Sequence, residues 1–141
     1  GYTYAGNPIA CAAGIAVIDE ISQNNLMDNT TQMGARLIAG LDALKDKYYF
    51  IGDVRGKGLL TAFEFVSDRE TMKPLPAELN AHVKFVNIAY EKGLIIYSRR
   101  TRMGTKGDHF LVCPPMIING KQIDDILSIL DECLSIYNKE L

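Results

Sequence analysis

Met33, Leu37, Leu41, Leu44 and Tyr48 step by four, four, three and four residues, the spacing of one face of an α-helix. A helix apolar along one stripe has to lay that stripe on another element. The next two segments are strand-like: Ile51-Gly52-Asp53-Val54 and Leu59 to Val66 are rich in β-branched and aromatic residues and are joined across Arg55-Gly56-Lys57-Gly58, where glycines permit positive φ. A hairpin beside an amphipathic helix already points to a sheet covered by helices.

The rest of the chain extends that pattern. Gly1 to Gly6 reads as a loop, and Pro8 suits a first helical position because its missing N–H would be unpaired there anyway. A helix of small residues comes next (Ala10, Cys11, Ala12, Ala13, Gly14, Ala16), with an apolar stripe of Ile15, Ile18 and Ile21 and an end at Asn24-Asn25. Asp28 or Asn29 is expected to cap the second helix. Ser67 to Pro76 is a polar connection. A third helix is predicted from Leu79, Val83, Val86 and Tyr90, stopped by Gly93. Leu94 to Tyr97 reads as a short buried strand, Ser98 to Asp108 as a basic loop, and His109 to Cys113 as a strand ended by Pro114-Pro115. Ile123, Ile126, Leu127, Leu130, Leu134 and Tyr137 mark a closing helix. The order ααββαββα predicts an α+β fold, with helices packed on one face of a mostly antiparallel sheet.

Composition removes several function classes. Fifteen Lys+Arg stand against seventeen Asp+Glu among 141 residues, a formal charge of −2, so no global basic field exists for nucleic acid or an anionic membrane. The longest apolar run, Ile9 to Ile18, is broken by Gly14 and falls far short of the roughly twenty residues of a bilayer helix. Cys11, Cys113 and Cys133 form no CxxC and have only His82 and His109 beside them, so no metal site is expected. All three cysteines are expected in the core, and a reducing, cytoplasmic compartment fits them. A chain opening on Gly1 straight into a dense glycine and aromatic segment is expected to be a piece of a longer one.

Two segments carry candidate chemistry. Arg99, Arg100, Arg102 and Lys106 lie between two strands, where guanidinium forks suit a carboxylate or phosphate; the plain alternative is a solvated loop tip. Thr3 sits between Tyr2 and Tyr4 in a glycine-flanked loop before a helix, a setting for a phosphate or for an ordinary turn. Arg55-Gly56-Lys57-Gly58 reads as an anion nest or, more simply, as the hairpin turn. Glu64 is expected to face outward, His82 to be half exposed on a helix, and His109 to make a structural hydrogen bond. No Ser/His/Asp arrangement or Walker loop is present.

Taken together, Gly1-Tyr2-Thr3-Tyr4-Ala5-Gly6-Asn7-Pro8 with Cys11-Ala12-Ala13, Val54-Arg55-Gly56-Lys57-Gly58-Leu59-Leu60 running to Glu64-Phe65, Lys92-Gly93-Leu94-Ile95, Gly107-Asp108-His109 and Pro114-Pro115-Met116-Ile117-Ile118 resemble the C-terminal part of class III pyridoxal-phosphate aminotransferases, the omega-amino acid, ornithine and 4-aminobutyrate transaminase group. The resemblance implies the aspartate-aminotransferase-type fold (fold type I), with residues 1–27 as the end of the large domain and a connecting helix, and 28–141 as the small C-terminal domain. It implies pyridoxal 5'-phosphate as cofactor, amines or amino acids and 2-keto acids as substrates, and a homodimer. The family's Schiff-base lysine lies upstream of the Gly-Tyr-Thr-Tyr motif, so the chain alone is expected to hold no catalytic residue and to be inactive. Thr3 matches the threonine that reaches the cofactor phosphate of the neighbouring subunit, and Tyr2 an aromatic beside it at the substrate entrance. Asn7 stands where the family often has histidine. Tyr97 stands nearest to an arginine that pairs with the substrate carboxylate in many relatives, which leaves Arg99, Arg100 and Arg102 as candidates for that role. The alternative reading is a non-enzymatic α+β module that binds an acidic ligand or RNA through the Arg99 to Lys106 loop.

Overall fold

The computed structural model describes residues 1–101 and 106–141. Helix α1 (Pro8–Gln23) starts as expected, with Pro8 in its first turn and the Asn7 side chain accepting from the N–H groups of Ile9 and Ala10. Helix α2 (Leu26–Lys47) begins earlier than the capping signal indicates. Asn25, in the left-handed region at φ 50°, turns the chain directly from α1 into α2. Asn29 is not a cap: its amide donates to the carbonyls of Met116 at 2.7 Å and Ile118 at 2.9 Å, tying α2 to the loop before the last helix.

Strands β1 (Ile51–Lys57) and β2 (Leu60–Asp68) form the expected hairpin. Its turn is tighter than the glycine segment suggests, because Arg55, Gly56 and Lys57 pair with Ala62, Thr61 and Leu60. Gly58, at φ 56°, makes the bend. There α2 crosses so closely that a Cβ on Gly34 would fall 2.3 Å from the Gly58 carbonyl oxygen. The polar connection contains a two-residue strand β3 (Lys73–Pro74) that pairs back onto β2.

Helix α3 (Ala81–Glu91) buries a face rotated from the predicted stripe, of which Leu79 and Val86 still pack half-buried against the core. Val83 and Tyr90 are exposed, whereas Ala81, Phe85 and Ala89 are fully buried, since two alanines one turn either side of Phe85 let that ring enter the aromatic core. Gly93, at φ 83°, ends the helix, and the Leu94 N–H closes it onto the Ala89 carbonyl at 2.8 Å, a Schellman closure. Among the described residues Leu94 to Ile96 have no ladder partner, and pairing starts at Tyr97. The expected basic loop is largely sheet: Ser98 to Thr101 belong to β4 (Tyr97–Thr101) and Lys106 to Asp108 to β5 (Lys106–Val112). Helix α4 (Gly120–Tyr137) opens with a capping box between Asn119 and Gln122.

The sheet order is β1-β2-β5-β4 with every pair antiparallel, so the α+β expectation holds. Its inner face meets α2, α3 and α4 through Phe63, Phe65, Phe85, Phe110 and Tyr137, with Phe65 4.5 Å from Phe110 and 5.3 Å from Tyr137 between ring centres. Of the cysteines only Cys133 lies in this core, while Cys11 and Cys113 are exposed. No helix among the described residues is long and apolar enough to cross a membrane.

Candidate functional site

Two turns shape the N-terminal loop: the Ala5 N–H donates to the Tyr2 carbonyl at 3.0 Å, and the Asn7 N–H to the Tyr4 carbonyl at 3.1 Å. Gly6, at φ 78°, supplies the positive angle that leads into α1. Tyr2, Thr3 and Tyr4 are all exposed. The first N–H groups of α1 already bind Asn7, so an anion here would meet the loop rather than the helix end. The Thr3 hydroxyl makes no hydrogen bond to another described residue.

The second candidate segment divides across the sheet. Strand side chains alternate between faces, and Ser98 and Arg100 turn inward while Tyr97 and Arg99 turn outward. Arg99 is exposed and donates from Nη1 to the Tyr97 hydroxyl at 3.0 Å. The Arg100 side chain is buried: its Nη2 donates to the Leu75 carbonyl at 2.9 Å, and its Nε lies 3.3 Å from Asp108 Oδ1. Arg102 lies outside the described residues. No hydrogen bond or ion pair among the described residues links this hairpin with the Thr3 loop.

A family profile described as Aminotransferase class-III matches residues 1–134. The chain belongs to the class III aminotransferases. It is 40% identical over 135 residues to the 5-aminovalerate aminotransferase of Pseudomonas putida, an alignment covering 96% of this chain and 30% of that protein. It is 36% identical over 133 residues to the taurine–pyruvate aminotransferase of Bilophila wadsworthia, covering 94% of this chain and 29% of that one. The crystal structure of a transaminase from the marine bacterium Virgibacillus superposes with a TM-score of 0.92 at 31% identity, over 99% of this chain and 31% of that one. The chain thus spans about three-tenths of the length of these relatives. The resemblance drawn from the motifs is correct, and the fold is that of a transaminase domain. Nothing among these matches points to a non-enzymatic binding module.

Within this class III chain the remaining candidates serve the fold. Arg55 pairs with Asp53 at 2.5 Å and with Glu64 at 3.1 Å, so the glycine segment is a hairpin whose Arg55 is matched internally, and Glu64 faces outward as expected. Among the described residues no group of three His, Cys, Asp or Glu side chains is placed to hold a metal. The sequence reading missed two arrangements. Asp53, Glu64, His109 and Arg99 form one row across four strands on the outer face. Asp108, on the inner face, is fully buried and holds both Arg100 and His82. Its one sequence signal is the even spacing with Phe110 and Val112 on β5, which puts Asp108 on the core face.

Proposed function

We infer that this chain is the C-terminal part of a pyridoxal-phosphate-dependent transaminase that moves an amino group between an amine or amino acid and a 2-keto acid. The observation that carries the reading is the class III match running unbroken from the Thr3 loop through the β4–β5 hairpin and into α4. Residues 1–27 would finish the large domain and 28–141 form the small one, a division supported by α1, which has no buried residue.

The donors in the loop fit one side of a phosphate site. Thr3 presents an exposed hydroxyl with no competing partner among the described residues. The loop carries no basic side chain, so the balancing charge has to come from elsewhere in the enzyme. Thr3 would hold the phosphate of the neighbouring subunit's cofactor, in a homodimer, and Tyr2 would line the entrance beside it. Pyridoxal phosphate, when bound, supplies the electron sink of the reaction. Arg99 is the leading partner for a substrate carboxylate: it is permanently charged, fork-shaped and exposed, whereas Arg100 already meets Asp108 and Leu75. Arg102 keeps its place as a further candidate. A cytoplasmic location belongs to the same reading, on the strength of three free cysteines.

The test is cofactor affinity. A hydroxyl bonded to a charged acceptor contributes about 1.5–3 kcal/mol, so Thr3→Ala should weaken cofactor binding roughly ten- to a hundredfold and loosen the dimer. Unchanged affinity would remove Thr3 from the site. Replacing Arg99, Arg100 and Arg102 singly by Ala should single out one variant that loses turnover with keto acids far more than with simple aldehydes. Equal losses would place the carboxylate partner elsewhere.

A further inference from the structure

The inner face of β4 carries a buried ionic network that the proposed function does not use. Asp108 is 0% exposed and the Arg100 side chain only 6%. Asp108 Oδ1 lies 3.3 Å from Arg100 Nε and 3.0 Å from His82 Nδ1, and accepts the His82 backbone N–H at 3.3 Å. Oδ2 and Arg100 Nε have no hydrogen-bond partner among the described residues, so Oδ1 alone carries the contacts to those residues and meets Arg100 as a charge pair. Around it, Arg100 reaches the Leu75 carbonyl and the Ser98 hydroxyl donates to the His82 carbonyl at 2.8 Å. The Leu75 turn, the start of α3 and both strands of the hairpin are therefore linked, through Arg100 and His82, to a single carboxylate. A buried charge is tolerated only when it is paired and hydrogen-bonded, and removing one member leaves the others uncompensated.

The location of this network matters as much as its depth. Among the described residues β4 pairs with β5 and with no other strand, which makes it an edge strand, and its ladder with β5 shifts register between Arg100 and Thr101. The Arg100–Asp108 pair is thus the last regular step before the irregularity. A slip of one residue in a strand exchanges its two faces; here it would carry Arg99 inward and Arg100 out.

We propose that Asp108 is a positioning residue: by holding Arg100 and His82 beneath the sheet it keeps β4 in the register that presents Tyr97 and Arg99 on the opposite face, toward a substrate carboxylate. The last clause rests on the proposed role of Arg99 as the carboxylate partner; the hold on β4 does not.

The experiment compares Asp108→Asn, His82→Ala and Arg99→Ala by hydrogen exchange in this chain and by steady-state kinetics in the transaminase that contains it. Asp108→Asn should raise exchange of the β4 amides about tenfold while β1 and β2 change less than about twofold. With a 2-keto acid its KM should rise about tenfold, and kcat with a simple aldehyde should stay unchanged. His82→Ala, at a side chain 24% exposed, should fold in any case and show a smaller effect in the same direction. Arg99→Ala should reproduce the KM split without touching exchange. Unchanged β4 exchange in both network variants, or a uniform rise across the whole sheet with equal loss on both substrates, would overturn the proposal. If Arg99→Ala shows no split while β4 exchange responds as described, the carboxylate reading fails and the hold of Asp108 on β4 stands.

Discussion

Helices α1 and α4 are built by the same local rules and end in opposite environments. Each starts at an asparagine whose side chain accepts from the first backbone N–H groups, and each runs for several turns of apolar residues. Yet α4 buries Ile123, Leu130, Cys133, Leu134 and Tyr137, while α1 buries nothing and leaves Ile9, Ile15, Val17 and Ile18 exposed. The difference lies in the distribution of polar groups. On α4, Asp125 and Glu132 are exposed on the side away from the core, while Asp124 and Asp131 flank it and pair with Arg36 and Lys47 of α2, so one stripe is committed to the sheet. On α1, apolar and small residues surround nearly the whole circumference, which is the pattern of a helix covered on several sides. Caps and propensity make a helix; only neighbours bury it. In the proposed enzyme, α1 would be where the large domain packs.

The sharpest test of that contrast is truncation of matched side chains. Leu130 is fully buried, and Leu130→Ala should cost about 2–5 kcal/mol through lost transfer free energy and the cavity left behind. Ile15 is 61% exposed, and Ile15→Ala in this chain should stay within about 0.5 kcal/mol of the parent. Urea denaturation of both variants decides it. A cost at Ile15 approaching that at Leu130 would mean that α1 is held by self-association of the chain, and a concentration dependence of the midpoint would then accompany it.

The same contrast separates what is legible in the sequence from what is not. The stripes of α4 and α2 are readable because single-sided burial leaves a period. In α3 the period misleads: Val83 and Tyr90 look like core residues, but the choice of face is made by Phe85 and its need for the aromatic cluster. The basic segment reads as a loop because four cations in eight positions suggest solvent. Its strand character depends on Asp108, ten residues from Ser98, matching one of those cations inside the protein, and pairing of that kind has no local signature. The Thr3 loop is legible only through its likeness to a family, since its glycines and turns fit an ordinary loop as well as a phosphate site.

A second test uses pH, at the C-terminal end of α4. Burial, then the charge of Asp108 and that of Glu140, push the Tyr137 hydroxyl up to about 12. Burial also raises Tyr48 and Cys133. Above pH 10 the unfolded chain releases the Tyr137 proton while the folded chain keeps it, so stability falls as pH rises. Over the window from about 10 to 12 the loss from Tyr137 should be about 2–3 kcal/mol, fully restored below pH 10. Tyr137→Phe should remove most of that slope in urea titrations at pH 9, 10 and 11, although it alters the baseline stability. A slope unchanged by Tyr137→Phe would transfer the effect to Tyr48 and Cys133 and weaken the picture of the C-terminal end of α4 as the dry end of the core.

The smallest effect tests the caps, where the two helices are most alike. Asn119→Ala deletes the acceptor for the Gln122 N–H and half of the capping box, a loss of about 1 kcal/mol. Because α4 is packed into the core, that loss should appear in full as a shift of the global urea midpoint. Asn7→Ala deletes acceptors for two N–H groups, those of Ile9 and Ala10, so its local cost is at least as large. Helix α1 nevertheless has little packing to transmit it, and a helix of its length is marginal without tertiary support. The expected result is fraying of the first turn, read as faster amide exchange around Ile9 to Cys11, with the global midpoint unmoved. Equal midpoint shifts for the two variants would show that α1 folds as one cooperative unit with the sheet, and the contrast between the helices would then be one of exposure alone.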